Sequence, residues 1–172
     1  MFASPPNIET RVFTSLPDEF RQSRQTDWAN IHLGGQELDS FLEGPSFDLE
    51  GNLYVVDIAF GRVFRISPGG LWTLIAEYDG QPNGLKLDRE GRIFIADRKH
   101  GILELEPHTG ATKLAMDGPK SERFMGVNDL FFASDGTLYF TDQGQSGIND
   151  PRGRLYRQRA DGVLECLLSS IP

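Results

Sequence analysis

The sequence predicts an all-β fold: a β-propeller of four-stranded blades, with three consecutive blades present and the ring incomplete. Three observations lead there. A strand–turn–strand segment recurs three times, and its turn glycines Gly51, Gly91 and Gly136 lie 40 and 45 residues apart. The closing aspartates Asp57, Asp97 and Asp142 keep the same two intervals, and repeats of about 40–45 residues mark propeller blades or similar arrays. No segment carries a convincing 3.6-residue apolar period, so little helix is expected.

Residues 1–34 read as an N-terminal extension. They contain Pro5, Pro6 and Pro17 and a polar run over 21–27, with one short extended segment at Arg11-Val12-Phe13-Thr14. Residues 35–172 then hold the blades, at about 43–77, 82–116 and 127–168. The first blade uses strands 45–49, 52–57, 62–67 and 71–77. The second uses 83–88, 92–97, 101–106 and 111–116, and the third 128–133, 137–142, 153–158 and 163–168. Each is a β-branched or aromatic run of strand length, bounded by Gly and Asp turns. Asp48-Leu49-Glu50-Gly51, Asp88-Arg89-Glu90-Gly91 and Ser134-Asp135-Gly136 are tight hairpins in which glycine supplies the positive φ. The third repeat is longer because residues 143–152 form a Gly-, Gln-, Asn- and Asp-rich loop between its second and third strands.

Closed propellers have about four to eight blades. Three cannot close a ring, and an open array exposes an unpaired flank that needs a cap. The expectation is a truncated chain or one that pairs with something, including self-association through the open edge.

Composition is that of a soluble globular chain: 172 residues, 38% hydrophobic and 24% charged, with a formal net charge of −8. That charge argues against nucleic acid or an acidic membrane as partner. It is compatible with a cation site, but such a charge more often reflects a solvated acidic surface. The single cysteine, Cys166, lies in an apolar stretch and reads as a buried inert thiol; it excludes a disulfide framework. Residues 1–10 hold no apolar segment of secretory type, and no run approaches the ~18 apolar residues of a membrane span. A cytoplasmic location is expected. His32, His100 and His108 show no metal-ligand spacing, and no phosphate-binding glycine loop or serine nucleophile elbow is present.

Glu43, Asn83 and Asn128 share one repeat position, each eight residues before its turn glycine. The first strand of a propeller blade lines the central channel, so equivalent positions at its start form a ring at one mouth. One carboxylate and two amide oxygens are donors that suit a hard cation such as Ca²⁺, which takes about 6–8 oxygens. The loop over 143–152 falls at the same mouth, as do Asp57, Asp97 and Asp142. The competing reading is structural: Asn83-Gly84 is a common turn pair, and the repeated aspartates close turns.

At these residues the sequence resembles a known family. Leu42-Glu43-Gly44-Pro45, Gln81-Pro82-Asn83-Gly84-Leu85, Gly126-Val127-Asn128-Asp129 and Tyr139-Phe140-Thr141-Asp142-Gln143-Gly144 are similar to motifs of the senescence-marker-protein/gluconolactonase (regucalcin-like lactonase) family, over roughly residues 40–172. The resemblance implies a six-bladed propeller with one divalent metal on its axis, usually calcium, acting on lactones or related esters. It implies Glu43 and Asn128 as metal ligands, with Asn128 and Asp129 also at the substrate; it assigns Asn83 no role. The remaining ligands and the general base would lie in a fourth and fifth blade, beyond residue 172. The expected function is therefore metal-dependent hydrolysis of a lactone or ester, with this chain carrying part of the site. The alternative is a non-catalytic binding scaffold, or an inactive fragment of the parent enzyme.

Overall fold

The computed structural model describes residues 5–172; the first four residues of the N-terminal extension lie outside the described residues. Among the described residues twelve strands follow one another in order and form three antiparallel sheets of four. The first blade is β1 (Leu42–Phe47), β2 (Leu53–Asp57), β3 (Arg62–Ile66) and β4 (Trp72–Glu77). The second is β5 (Pro82–Leu87), β6 (Ile93–Asp97), β7 (Gly101–Glu106) and β8 (Ala111–Met116). The third is β9 (Val127–Phe132), β10 (Leu138–Asp142), β11 (Gly153–Gln158) and β12 (Leu164–Ile171). Every sheet has its strands in sequence order, as a meander. The three sheets are propeller blades, and the ring they begin is incomplete.

Apolar layers between blades hold the array together. Tyr54, Val56 and Val63 of the first blade pack against Leu85, Ile93, Ile95 and Leu103 of the second. Ala96 and Ile102 of the second pack against Val127, Leu130, Phe140 and Tyr156 of the third. The middle strands are covered on both faces, which is why β2 reads Leu-Tyr-Val-Val and β6 Ile-Phe-Ile-Ala rather than alternating with polar residues. Each large side chain buried in these layers contributes about 1.5–3 kcal/mol. The first strands meet along the inner edge, where β5 touches both β1 and β9.

The extension departs from expectation. Arg11-Val12-Phe13-Thr14 pairs with no strand. Thr14 instead donates its hydroxyl to the Gly70 carbonyl and accepts from Trp72 Nε1 at 3.0 Å. Leu16 and Phe20 cover the outer face of the first blade, against Val55, Phe64, Ile66 and Trp72. The polar run ends in a short helix, α1 (Asp27–His32). Thr26 caps it, accepting from the Ala29 N–H at 3.1 Å. Gly34 and Gly35, both at positive φ, end it. Trp28 of α1 is buried with Ile58, Ala59 and Phe60, so a tertiary contact holds a helix too short to persist alone.

Cys166 is exposed, not buried. It lies on β12, the outermost strand of its blade, most of whose residues remain exposed. Among the described residues no helix is long and apolar enough to cross a membrane.

Candidate metal centre at the inner-strand mouth

Each blade carries the same device at the start of its first strand. The aspartate ending the second strand is completely buried in all three blades. Asp57 accepts the Phe41 N–H at 3.0 Å, Asp97 the Gln81 N–H at 2.9 Å, and Asp142 the Gly126 N–H at 2.8 Å. The residue after each aspartate closes the loop: Ile58 donates to the Phe41 carbonyl, Arg98 to that of Gln81, and Gln143 to that of Gly126, at 3.1, 2.9 and 3.1 Å. Phe41, Gln81 and Gly126 stand two residues before Glu43, Asn83 and Asn128. A double clamp therefore fixes the backbone just ahead of each ring residue.

A bulge then sits at each ring residue or just beyond it. Glu43 pairs with Val56 but Ser46 with Tyr54; Pro82 pairs with Asp97 but Gly84 with Ala96; Val127 pairs with Asp142 but Leu130 with Phe140. Each first strand holds one residue more than its partner there. Such bulges bend a strand and redirect a side chain, and they cluster beside functional sites.

The inner strands approach closely at this level. A Cβ on Gly44 would lie 2.7 Å from the Leu85 nitrogen and 2.8 Å from the Asn83 oxygen. One on Gly84 would lie 2.8 Å from the Asp129 Cα and 2.9 Å from the Asn128 oxygen. Glycine after Glu43 and after Asn83 thus lets the three first strands approach closely at this level. Glu43, Asn83 and Asn128 are all half-buried. Hydrogen bonds at this rim belong to their neighbours: Lys86 to the Pro45 carbonyl, the Asp129 N–H to Thr141, and the Leu130 N–H to Asp129. Among the described residues none engages the side chains of Glu43, Asn83 or Asn128.

Asp129 is exposed and its carboxylate turns back to its own strand, accepting the Leu130 N–H at 2.8 Å and lying against Gly84. Among the described residues no three His, Cys, Asp or Glu side chains converge as a metal cluster. One carboxylate and two amides make a different donor set, oxygens of the kind a hard cation takes but fewer than its usual number of about 6–8. Its chemistry fits a divalent metal: half-buried oxygens, uncommitted to internal hydrogen bonds, on clamped backbone.

The clamping aspartates are not equivalent electrostatically. Asp57 is neutralised by Arg62, with Nη2 at 2.5 Å and Nε at 3.2 Å. Burial raises the pKa of Asp97, offset by the Tyr78 hydroxyl at 2.9 Å and by the His100 and Lys99 N–H groups. Burial likewise raises that of Asp142, offset by the Met125 and Gly126 N–H groups. Tyr78 is itself pushed up by burial and by the adjacent Asp97.

The loop over 143–152 starts at this mouth, where the Gly144 N–H also reaches the Gly126 carbonyl. Ser146 orders it, accepting from the Arg152 and Gly153 N–H groups at 2.8 and 3.0 Å. Two further residues reach the rim that sequence reasoning did not single out, His32 from α1 and Arg98 from the loop after β6. Arg98 directly follows a repeated aspartate, so its place was legible; the reach of its side chain was not. A cleft of about 500 Å³ lies at the opposite, hairpin end, between the turns of the first two blades. Its carboxylates Asp48 and Asp88 are spent on their own turns, each accepting two backbone N–H groups.

Comparison with known proteins gives a consistent result. The model of the SMP-30/gluconolactonase/LRE-like region matches residues 41–171. The gluconolactonase of Zymomonas mobilis is 39% identical over 82 residues, 47% of this chain and 23% of that protein. A lactonase, drp35, of Staphylococcus epidermidis is 27% identical over 139 residues, 75% of this chain and 40% of that protein. The chain thus spans less than half the length of these curated relatives. Among solved structures, a gluconolactonase from Xanthomonas campestris superposes with a TM-score of 0.67 at 22% identity, over 76% of this chain and 48% of its own.

Proposed function

This chain belongs to the SMP-30/gluconolactonase/LRE-like family, and we propose that it supplies the first half of the site of a metal-dependent hydrolase acting on a lactone or related ester. The observation that carries the reading is the threefold repeat of clamp, bulge and uncommitted oxygen side chain at Glu43, Asn83 and Asn128. The relatives named gluconolactonase and lactonase support the substrate class. A similar solved structure, a calcium-binding regucalcin from Agrobacterium tumefaciens with a TM-score of 0.62, supports calcium as the metal.

Glu43 and Asn128 would hold the metal, with Asn83 as a third oxygen donor on the same rim. When bound, a divalent cation polarises the ester carbonyl as a Lewis acid. Glu43 would supply one negative charge toward a divalent cation held there. Asn128, held by the Asp142 clamp, offers either an oxygen to the metal or an N–H to the lactone. Asp129 stiffens that strand against Gly84 and presents an exposed edge to the substrate. No general base is assigned among the described residues.

Calcium titration by calorimetry tests the reading. The chain is expected to bind calcium weakly, and Glu43→Gln to weaken binding at least about tenfold, because ligand charge sets affinity in such sites. Binding that survives Glu43→Gln unchanged would sink the assignment. A binding-module reading gains its support from the loop over 143–152, whose Ile148 is 88% exposed. Partner capture by that loop, with no calcium heat, would favour it.

A further inference from the structure

We propose that Arg98 is a specificity-determining residue that reads a carboxylate on the substrate, so that the preferred lactones carry an acidic group; this rests on the lactonase reading above. Its backbone is fixed by the second-blade clamp, where its N–H donates to the Gln81 carbonyl at 2.9 Å. The side chain then crosses to the third blade. Its Cγ and Nε lie 3.1 and 3.5 Å from where a Cβ of Gly126 would stand, two residues before Asn128. At its tip, Nη1 donates to His32 Nε2 at 2.5 Å. The His32 ring stacks on Trp28, with centroids 5.0 Å apart, and Trp28 packs on Phe41 at 4.6 Å, two residues before Glu43. Arg98 therefore lies along Gly126 on the approach to Asn128, and connects to the approach to Glu43 through His32, Trp28 and Phe41.

Its charge is uncompensated. Burial lowers the Arg98 pKa, yet a guanidinium stays protonated at neutral pH. His32 is held neutral by desolvation and by the Arg98 charge, so it serves as a hydrogen-bond acceptor and not as a counter-ion. Three neighbouring cations have carboxylates: Lys99 has Asp79 at 2.5 Å, Arg154 has Glu122 at 3.1 Å, and Arg62 has Asp57 at 2.5 Å. Among the described residues none lies within ion-pair reach of Arg98. A half-buried cation left unpaired in a chain of net charge −8 is a group with its partner still to come. One N–H is spent on His32, and others of the five remain in the fork that matches a carboxylate in two places. Sites built around such a donor discriminate against analogues lacking the acceptor.

The test compares a γ-lactone bearing a ring carboxylate with its carboxamide, on the full chain, by calorimetric binding. The acid is expected to bind roughly 10- to 100-fold more tightly than the amide, the range for a hydrogen bond to a charged group. Arg98→Met should erase that preference, Arg98→Lys retain part of it, and His32→Ala reduce it, with thermal melting recorded for each. A purely structural Arg98 would change melting without changing the acid-to-amide ratio. Equal binding of acid and amide by the unsubstituted chain, no binding of either, or a ratio untouched in Arg98→Met overturns the proposal. Acid preference that follows Arg98, together with calcium binding that survives Glu43→Gln unchanged, sinks the metal-dependent hydrolase reading and leaves this one standing. Calcium binding lost in Glu43→Gln, with an acid-to-amide ratio indifferent to Arg98, does the reverse.

Discussion

Asp142 holds two backbone N–H groups, those of Met125 and Gly126, on one carboxylate oxygen at 2.9 and 2.8 Å. Removing it orphans both donors in a buried setting, so Asp142→Ala is expected to cost about 2–4 kcal/mol in urea denaturation. Asp142→Asn keeps an acceptor oxygen and should cost no more than about 1 kcal/mol. The glycines separate in the same way. Gly84→Ala would drive a Cβ to 2.8 Å from the Asp129 Cα, a backbone contact that cannot yield, and should destabilise by about 1–3 kcal/mol. Gly91→Ala meets nothing within 4 Å and pays only for its positive φ of 79°, about 1–2 kcal/mol. Glu43, Asn83 and Asn128 were legible as a set because their offset from the turn glycine is constant. The role of the aspartates was only half legible: the repeat shows that they matter, but their acceptors' targets are backbone groups, which a sequence of side chains does not display.

The helix α1 shows how an element can escape sequence reasoning. Its six residues carry no usable period, and it stands because Trp28 finds Ile58 and Phe60. The bulges escaped for a related reason: an inserted residue leaves hydrophobic content unchanged and alters only pairing. The strands were clearer, since both faces of β2 and β6 are buried and the runs are apolar throughout. At this scale α1 also offers a titration. The His32 pKa is lowered, first by desolvation and then by Arg98. A base with a depressed native pKa takes up its proton less readily when folded. Its contribution to stability is therefore present above the unfolded value of about 6.5 and is lost as pH falls below it. Proton NMR should find the His32 ring titrating below that value, and Arg98→Met should move it upward. An unchanged midpoint in the variant would show that the two side chains do not meet in solution.

As a whole the molecule has one open side. Phe131 on β9 and Leu168 on β12 are 63% and 56% exposed, on the face of the third blade turned away from the second. Apolar surface of that kind seeks cover. The chain is expected to self-associate as its concentration rises, measurable as mass by sedimentation, and Leu168→Glu should return it to monomer. A monomer at all concentrations would mean the flank is covered from within. The blade count was readable because the 40- and 45-residue intervals leave no ambiguity; the capping of the first blade by Leu16 and Phe20 was not, since that contact joins segments far apart in the chain. The repeated clamp has one more consequence. Because each blade secures its own rim position through an aspartate that grips the backbone two residues earlier, and not through the rim side chain, the identity of the residue displayed there is free to vary. Glutamate and asparagine already occupy equivalent sockets. Exchange of Asn83 for aspartate would retune the charge of the mouth while leaving its architecture alone, so the scaffold behaves as a rack into which different chemistries can be slotted one blade at a time.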